Sequence, residues 1–83
     1  MGEVIASSPE FGLLWYDNSK KLKAEDKIRE ASWQFLDQIG LRPRICIVNS
    51  ATGFRDNTML LEMTVKVRDH MVKPNYYWLV THE

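Results

Sequence analysis

The spacing of hydrophobic positions changes along the chain, and each pattern predicts a different element. A short apolar and aromatic run at 11–16 is followed by turn-forming residues at 17–19, which is typical of a strand and a turn. Residues 20–39 then place apolar side chains at a spacing of about 3.6 residues, which predicts an amphipathic helix. We expect Gly40 to end this helix in a left-handed conformation, and Pro43 prevents its continuation.

The second half of the chain has the patterns of strands. Residues 44–49 form a continuous apolar run rich in β-branched side chains, which predicts a central parallel strand buried on both faces. Residues 59–68 alternate apolar and polar side chains and predict a half-exposed strand. A last strand is expected at 76–81, and the turn-forming stretches at 50–57 and 69–75 are predicted loops.

These elements predict a single α/β (α+β) domain in the order β-α-β-β-β, with one helix packed on one face of a mixed sheet. Residues 12–49 form one β-α-β unit, whose crossover is expected to be right-handed. Residues 1–10 show no sustained period, so we predict a flexible N-terminal tail followed by the domain at 11–83. A chain of 83 residues has room for one small hydrophobic core.

Charge and composition narrow the classes of function. Eleven basic and eleven acidic residues give a net charge of zero, which removes a general attraction to nucleic acid or anionic membranes. The sequence has no apolar stretch of about 18 residues and no secretory signal, so no membrane partner is expected. Its one cysteine cannot form an internal disulfide, which suits a reducing compartment. We therefore expect a cytoplasmic protein.

Candidate catalytic and metal-binding residues are few and scattered. Cys46 lies within a predicted buried strand, where a thiol is poorly reactive. His70 and His82 are twelve residues apart without a metal-binding motif, and no glycine-rich phosphate loop occurs. We therefore expect no cofactor, no metal site and no enzymatic activity. A small hydrolase or thiol enzyme using Asp17, Cys46 and His70 is the weakest alternative.

The aromatic content is the strongest indication of function. Three Trp, three Tyr and three Phe are many for so small a core. One helix covers one face of the sheet, yet the strands at 45–48 and 76–80 are apolar on both faces. The sequence therefore predicts a small protein-interaction module: a homodimer, an accessory subunit or an inhibitor. Its predicted partner-binding residues are Trp33, on the flank of the helix, and Tyr76, Trp78 and Val80.

A single-stranded nucleic-acid-binding protein is the first alternative. The cations that would contact phosphates are Lys20, Lys21, Arg42 and Arg44, and the sheet aromatics would stack on bases. Acidic residues at positions 25, 26 and 30 alternate with the lysines of the helix, so a solvated face of mixed charge is the favoured interpretation.

Four segments resemble a group of short prokaryotic proteins of unknown function. They are LWYD at 14–17, RPRICIV at 42–48, VKVR at 65–68 and KPNYYW at 73–78. The resemblance implies a small stand-alone α/β protein from bacteria or their mobile elements. It assigns no functional residue.

Overall fold

The computed structural model describes residues 2–82, which form six strands, one α-helix and one short 3-10 helix. Met1 and Glu83, at the ends of the predicted tail and domain, lie outside the described residues. The predicted α+β fold with one helix on one face of a mixed sheet is confirmed. The elements are β1 (Glu3–Ser8), β2 (Gly12–Tyr16), α1 (Ala24–Ile39), β3 (Ile45–Val48), the 3-10 helix (Ser50–Thr52), β4 (Thr58–Leu60), β5 (Met63–Val67) and β6 (Tyr76–Val80).

The strands are arranged in the order β1-β2-β6-β3-β5-β4. β3 and β5 are parallel, and every other pair of neighbours is antiparallel. β2 and β3 therefore run in the same direction with β6 between them, so the predicted β-α-β unit is split by the last strand. β3 is an interior strand whose residues Cys46, Ile47 and Val48 are buried, as its continuous apolar run predicts.

The N-terminal segment Glu3–Ser8, which the sequence predicts as a flexible tail, is an edge strand. β1 pairs with β2, and the Ser7 hydroxyl donates a hydrogen bond to Gln38 of α1 over 2.6 Å. The register shifts between Val4 and Ala6, which is the signature of a β-bulge. A bulge interrupts the two-residue alternation, and this explains why the sequence pattern shows no strand here.

The predicted strand at 59–68 is a hairpin of two strands, β4 and β5. Leu60 faces Met63, so Leu61 and Glu62 form a two-residue turn with φ values of 51° and 66°. Such turns usually contain Asn or Gly, because both central residues adopt left-handed conformations. A Leu-Glu pair carries no turn signal, and the hairpin was therefore missed.

The helix begins at Ala24, four residues later than its periodicity predicts. The Asp17 carboxylate accepts the backbone N–H of Ser19 over 2.8 Å and forms a turn that delays helical geometry. At the other end Gly40 has φ 84°, and its N–H bonds to the Leu36 carbonyl oxygen over 2.9 Å. The predicted left-handed C-cap is confirmed.

The core lies between α1 and the sheet. Ile28, Ala31 and Phe35 project from the buried side of the helix, in agreement with its predicted apolar stripe. The described part of the chain contains no helix long and apolar enough to cross a membrane. The strand residues that complete the core are Leu13, Trp15, Cys46, Val48, Met63, Val65, Tyr77 and Leu79.

Candidate functional site

The sheet face opposite α1 presents mainly apolar side chains in its centre, on β2, β6 and β3. Strand alternation directs the neighbours of the core residues to this side, and cross-strand pairing aligns them. We call this surface the second face. Its residues are Glu3, Ala6, Ser8, Leu14, Tyr16, Ile45, Ile47, Met59, Thr64, Lys66, Tyr76, Trp78 and Val80.

The chain covers part of the second face itself. Ile47, Val80 and the loop residue Val72 are buried but lie outside the core cluster under α1. The Asn49 side-chain amide donates to the Val72 carbonyl oxygen over 3.0 Å and holds the loop in place. The neighbouring Met71 lies beside Trp78 in an open apolar cavity. The loop at 69–75 therefore shields one end of the face and leaves the other open.

The cavity has a volume of about 380 Å³. Its lining residues are Ala6, Ser7, Ser8, Phe11, Gly12, Leu14, Met71 and Trp78. On its rim, the Phe11 side chain is 69% exposed, although a large apolar group is ordinarily stabilised by burial.

Two hydrogen bonds and the conformation of the next residue set the position of Phe11. Its N–H bonds to the Ser8 hydroxyl over 3.0 Å, and its carbonyl oxygen accepts the Trp78 indole N–H over 2.7 Å. The next residue, Gly12, has φ 88°, and a Cβ there would overlap the Leu79 carbonyl oxygen. Phe11 is therefore held by a turn that requires glycine, and its ring projects into solvent.

The four predicted partner-binding residues do not form one surface. Tyr76 and Trp78 are half-buried on the second face, and Val80 on the same face is only 9% exposed. Trp33 is 73% exposed, but it belongs to α1 on the opposite side of the sheet. Phe11 and Met71 were missed because they lie in a turn and a loop, where no periodic pattern marks them.

The predicted nucleic-acid-binding cations fall into two separate pairs. Lys20 and Lys21 precede α1, whereas Arg42 and Arg44 follow it. A helix of 16 residues is about 24 Å long, and the two pairs lie at its opposite ends. The four cations therefore do not make one continuous basic surface, and Tyr76 and Trp78 lie on the other face of the sheet.

A second cavity, of about 390 Å³, lies on the helix side of the sheet. It is bounded by α1, the segment before β3 and the turn between β4 and β5. We call it the arginine groove. Its lining residues are Arg29, Ser32, Trp33, Leu36, Arg42, Pro43, Arg44, Leu61 and Glu62. The structure thus brings Trp33 together with two cations that the sequence assigned to a different function.

A third, smaller cavity of about 200 Å³ lies at the start of α1. Lys27 from α1 and Tyr77 from β6 are among its lining residues. Lys27 is only 6% exposed, and its ammonium group has no hydrogen-bond or ion-pair partner within residues 2–82. Burial raises the pKa of Tyr77 to about 12.

The candidate catalytic residues are not arranged as a nucleophile and base. Cys46 is fully buried under α1, and this burial raises the pKa of its thiol well above the usual range. His70 is exposed in the loop at 69–75. Asp17 is buried, with one carboxylate oxygen bonded to Ser19 and the other without a partner. Among residues 2–82, no three His, Cys, Asp or Glu side chains form a group that could hold a metal ion.

Comparison with family models, with curated proteins and with solved structures gives no match for this chain. The resemblance to short prokaryotic proteins stays a prediction. Function is therefore inferred from the geometry of the two apolar cavities and the charges around them.

Proposed function

We propose that the protein is a small interaction module that forms a homodimer through its second face. The observation that carries the proposal is the open apolar cavity whose rim holds Phe11 in solvent. Phe11, Leu14, Met71 and Trp78 would lie at the centre of the contact, where buried aromatic and Met side chains contribute most to binding. Val80 is nearly buried, so it would pack beneath the contact residues and would not touch the partner.

The charge distribution favours a second copy as the occupant. Among the described residues of the second face only Glu3 and Lys66 are charged, and the Lys66 ammonium group bonds to the Asn57 side chain. Two copies of a chain with zero net charge do not repel each other at long range. A self-complementary apolar patch is the usual basis of a two-fold symmetric dimer.

The shape of the molecule also favours contact between faces. The sheet edges suit pairing poorly, because β4 has three residues and β1 contains a bulge. The two longest dimensions of the molecule are 28 and 25 Å, so a whole face is close in size to the ~800 Å² that each partner buries in a standard interface. A second chain of the same size would cover the second face almost completely.

The oligomeric state tests this proposal directly. Light scattering during size-exclusion chromatography should give about twice the 9.7 kDa mass of the chain. Phe11→Glu should give the monomer mass, because a carboxylate at the centre of an apolar contact loses its hydration without gaining a partner. Phe11 is mostly exposed within one chain, so this variant should fold normally, which circular dichroism will show.

Trp33→Glu is the matched control, since it introduces the same charge at an equally exposed aromatic residue on the opposite side. We expect it to remain dimeric. A monomeric wild-type protein at millimolar concentration contradicts the proposal. So does a pair of variants in which Trp33→Glu dissociates and Phe11→Glu does not.

The proposal includes a cytoplasmic location and a non-enzymatic role. Two observations support it: Cys46 is a free thiol without a disulfide partner, and its burial raises its pKa away from the range that suits a nucleophile.

A further inference from the structure

We propose that the arginine groove binds an acidic peptide segment of a partner protein, with one apolar side chain of that segment seated between Trp33 and Leu61. This surface is on the opposite side of the sheet from the proposed dimer contact. The two proposals are therefore independent, and each can fail without the other.

The groove exists because the helix does not cover the whole sheet. α1 packs mainly against β1, β2 and β6, which leaves the outer strands β5 and β4 with less cover on this side. Pro43 is buried at the base of the opening. Arg44 lies two residues before the core residue Cys46 and shares its side of the sheet by strand alternation.

The apolar part of the groove is unusually exposed. Trp33 is 73% exposed, Leu61 43% and Leu36 41%, and all three line the same opening. Leu41, which is 59% exposed, follows the helix at the same end. Single exposed apolar side chains are ordinary, but a contiguous group of large ones marks an interaction site. The opening is large enough to take a few side chains rather than a folded domain.

The charges around this apolar patch are mostly positive. Three arginines and one glutamate line the groove. Arg29 already forms an ion pair with Asp26 at 2.8 Å. Within the described part of the chain, the guanidinium groups of Arg42 and Arg44 have no hydrogen-bond or ion-pair partner. Guanidinium groups bind carboxylates through two parallel hydrogen bonds, so these two arginines suit acidic side chains.

The turn that carries Leu61 is strained, which is a separate observation in favour of a site. Leu61 and Glu62 both have positive φ values, and neither residue type favours that conformation. Strained backbone of this kind concentrates at functional sites, where the strain positions a side chain. Here it places Leu61 in the lining of the groove, together with Trp33.

A peptide fits this groove better than a nucleic acid does. Single-stranded nucleic acids bind to a basic track with successive aromatic stacking platforms. The groove contains one aromatic ring with two leucines beside it, and Lys20 and Lys21 lie at the far end of α1. A peptide with one apolar side chain between carboxylates would match the apolar residues of the groove and its arginines.

The test uses three dye-labelled synthetic peptides and the folded wild-type chain. One peptide holds a single Leu among Glu and Asp residues, the second holds the same Leu among Lys residues, and the third replaces Leu by Gly in the acidic peptide. Fluorescence anisotropy should show saturable binding of the first and at least ~tenfold weaker binding of the other two. The emission of Trp33 should shift on binding, and Trp33→Ala should remove that shift.

Charge-reversal pairs locate the contact. Arg42→Glu with Arg44→Glu should weaken binding of the acidic peptide at least ~tenfold, since two charge-assisted contacts become repulsive. Lys20→Glu with Lys21→Glu makes the same change in net charge at the other end of the helix and should leave the affinity within ~twofold. Phe11→Glu should bind the peptide as the wild type does, whatever its oligomeric state.

Three results overturn the proposal. The first is an equal loss of affinity in both charge-reversal pairs, which indicates general electrostatic attraction. The second is tighter binding of oligothymidylate than of the acidic peptide, with the same dependence on Arg42 and Arg44, which assigns the groove to nucleic acid. The third is the absence of saturable binding by any of the three peptides.

Discussion

At the scale of single residues, Asp17 combines two properties that rarely occur together. It is fully buried, and only one of its two carboxylate oxygens has a hydrogen-bond partner. The bonded oxygen holds the turn before α1 through the Ser19 N–H. A buried carboxylate oxygen without a partner costs free energy, because it has lost water without gaining a donor. The fold therefore uses one oxygen of the Asp17 carboxylate as a hydrogen-bond acceptor, and the other oxygen is buried without a hydrogen bond.

Two substitutions of Asp17 separate the acceptor from the charge. Asp17→Asn keeps an oxygen for the Ser19 N–H but puts an amide NH2 in place of the unpartnered oxygen, so it should lower the free energy of unfolding less than Asp17→Ala does. Asp17→Ala removes the acceptor and should lower it by ~1–3 kcal/mol. Urea denaturation followed by circular dichroism measures both. If Asp17→Asn is as destabilising as Asp17→Ala, the hydrogen bond to Ser19 does not account for what Asp17 contributes.

At the scale of elements, the turn between β4 and β5 combines a structural cost with a proposed role. Leu61 and Glu62 occupy conformations that Asn and Gly adopt with little strain. A sequence chosen for stability alone would have a different pair at these positions. The exposed Leu61 side chain in the arginine groove offers a reason for the pair that is present.

Substitutions in the Leu61–Glu62 turn should have opposite effects on the stability of the fold and on its affinity for the acidic peptide. Leu61→Asn combined with Glu62→Gly should raise the free energy of unfolding by ~1–2 kcal/mol, since both residues then match a type I′ turn. Leu61→Asn alone should bind the acidic peptide more weakly than the wild type, because the groove loses an apolar side chain while Glu62 keeps its negative charge. Leu41→Asn removes an exposed leucine without changing the turn and should leave stability within ~0.5 kcal/mol. A double variant that unfolds more easily than the wild type contradicts the assignment of strain.

The sequence predicts the elements whose hydrophobic pattern is regular along their whole length. It does not predict those in which the pattern is interrupted. The stripe of α1 and the continuous apolar run of β3 appear in the structure close to their expected positions. The bulge in β1 and the Leu61–Glu62 turn break a regular pattern without Gly or Pro, so the pattern shows neither. For the candidate sites, periodicity identified Trp33 but could not show that Arg42 shares its groove, because the two meet only through the tertiary fold.

At the scale of the whole molecule, stability should fall in acid. Asp56 accepts the Val67 N–H over 2.9 Å and pairs with Arg68, while Asp69 accepts both the N–H and the hydroxyl of Ser50. The Val67 hydrogen bond is the main cause that lowers the pKa of Asp56, and the Ser50 hydroxyl is the main cause that lowers that of Asp69. Both carboxylates tie loops to the ends of β3 and β5.

The sign of the pH dependence follows from these lowered pKa values. Below the unfolded value of about 3.9, the unfolded chain binds more protons than the folded one, so stability falls as the pH drops towards the folded values. Asp56→Asn with Asp69→Asn should therefore be less stable than the wild type near neutral pH, and the difference should shrink as the pH falls below ~4. Urea midpoints across this range measure it. Asp37→Asn, at an exposed carboxylate of α1, is the control, and a pH-independent difference contradicts the prediction.

The central position of β6 has a consequence for how the protein is made. β1 and β2 form one half of the sheet, and β3, β5 and β4 form the other, with β6 as the strand that joins them. Because β6 comes last among the six strands, a ribosome completes both halves before residues 76–80 emerge to connect them. Until then Leu13 and Cys46 have no common core, and two unpaired inner edges are open to other chains. A chain cut before residue 76 should therefore keep these edges unpaired and be a substrate for proteases.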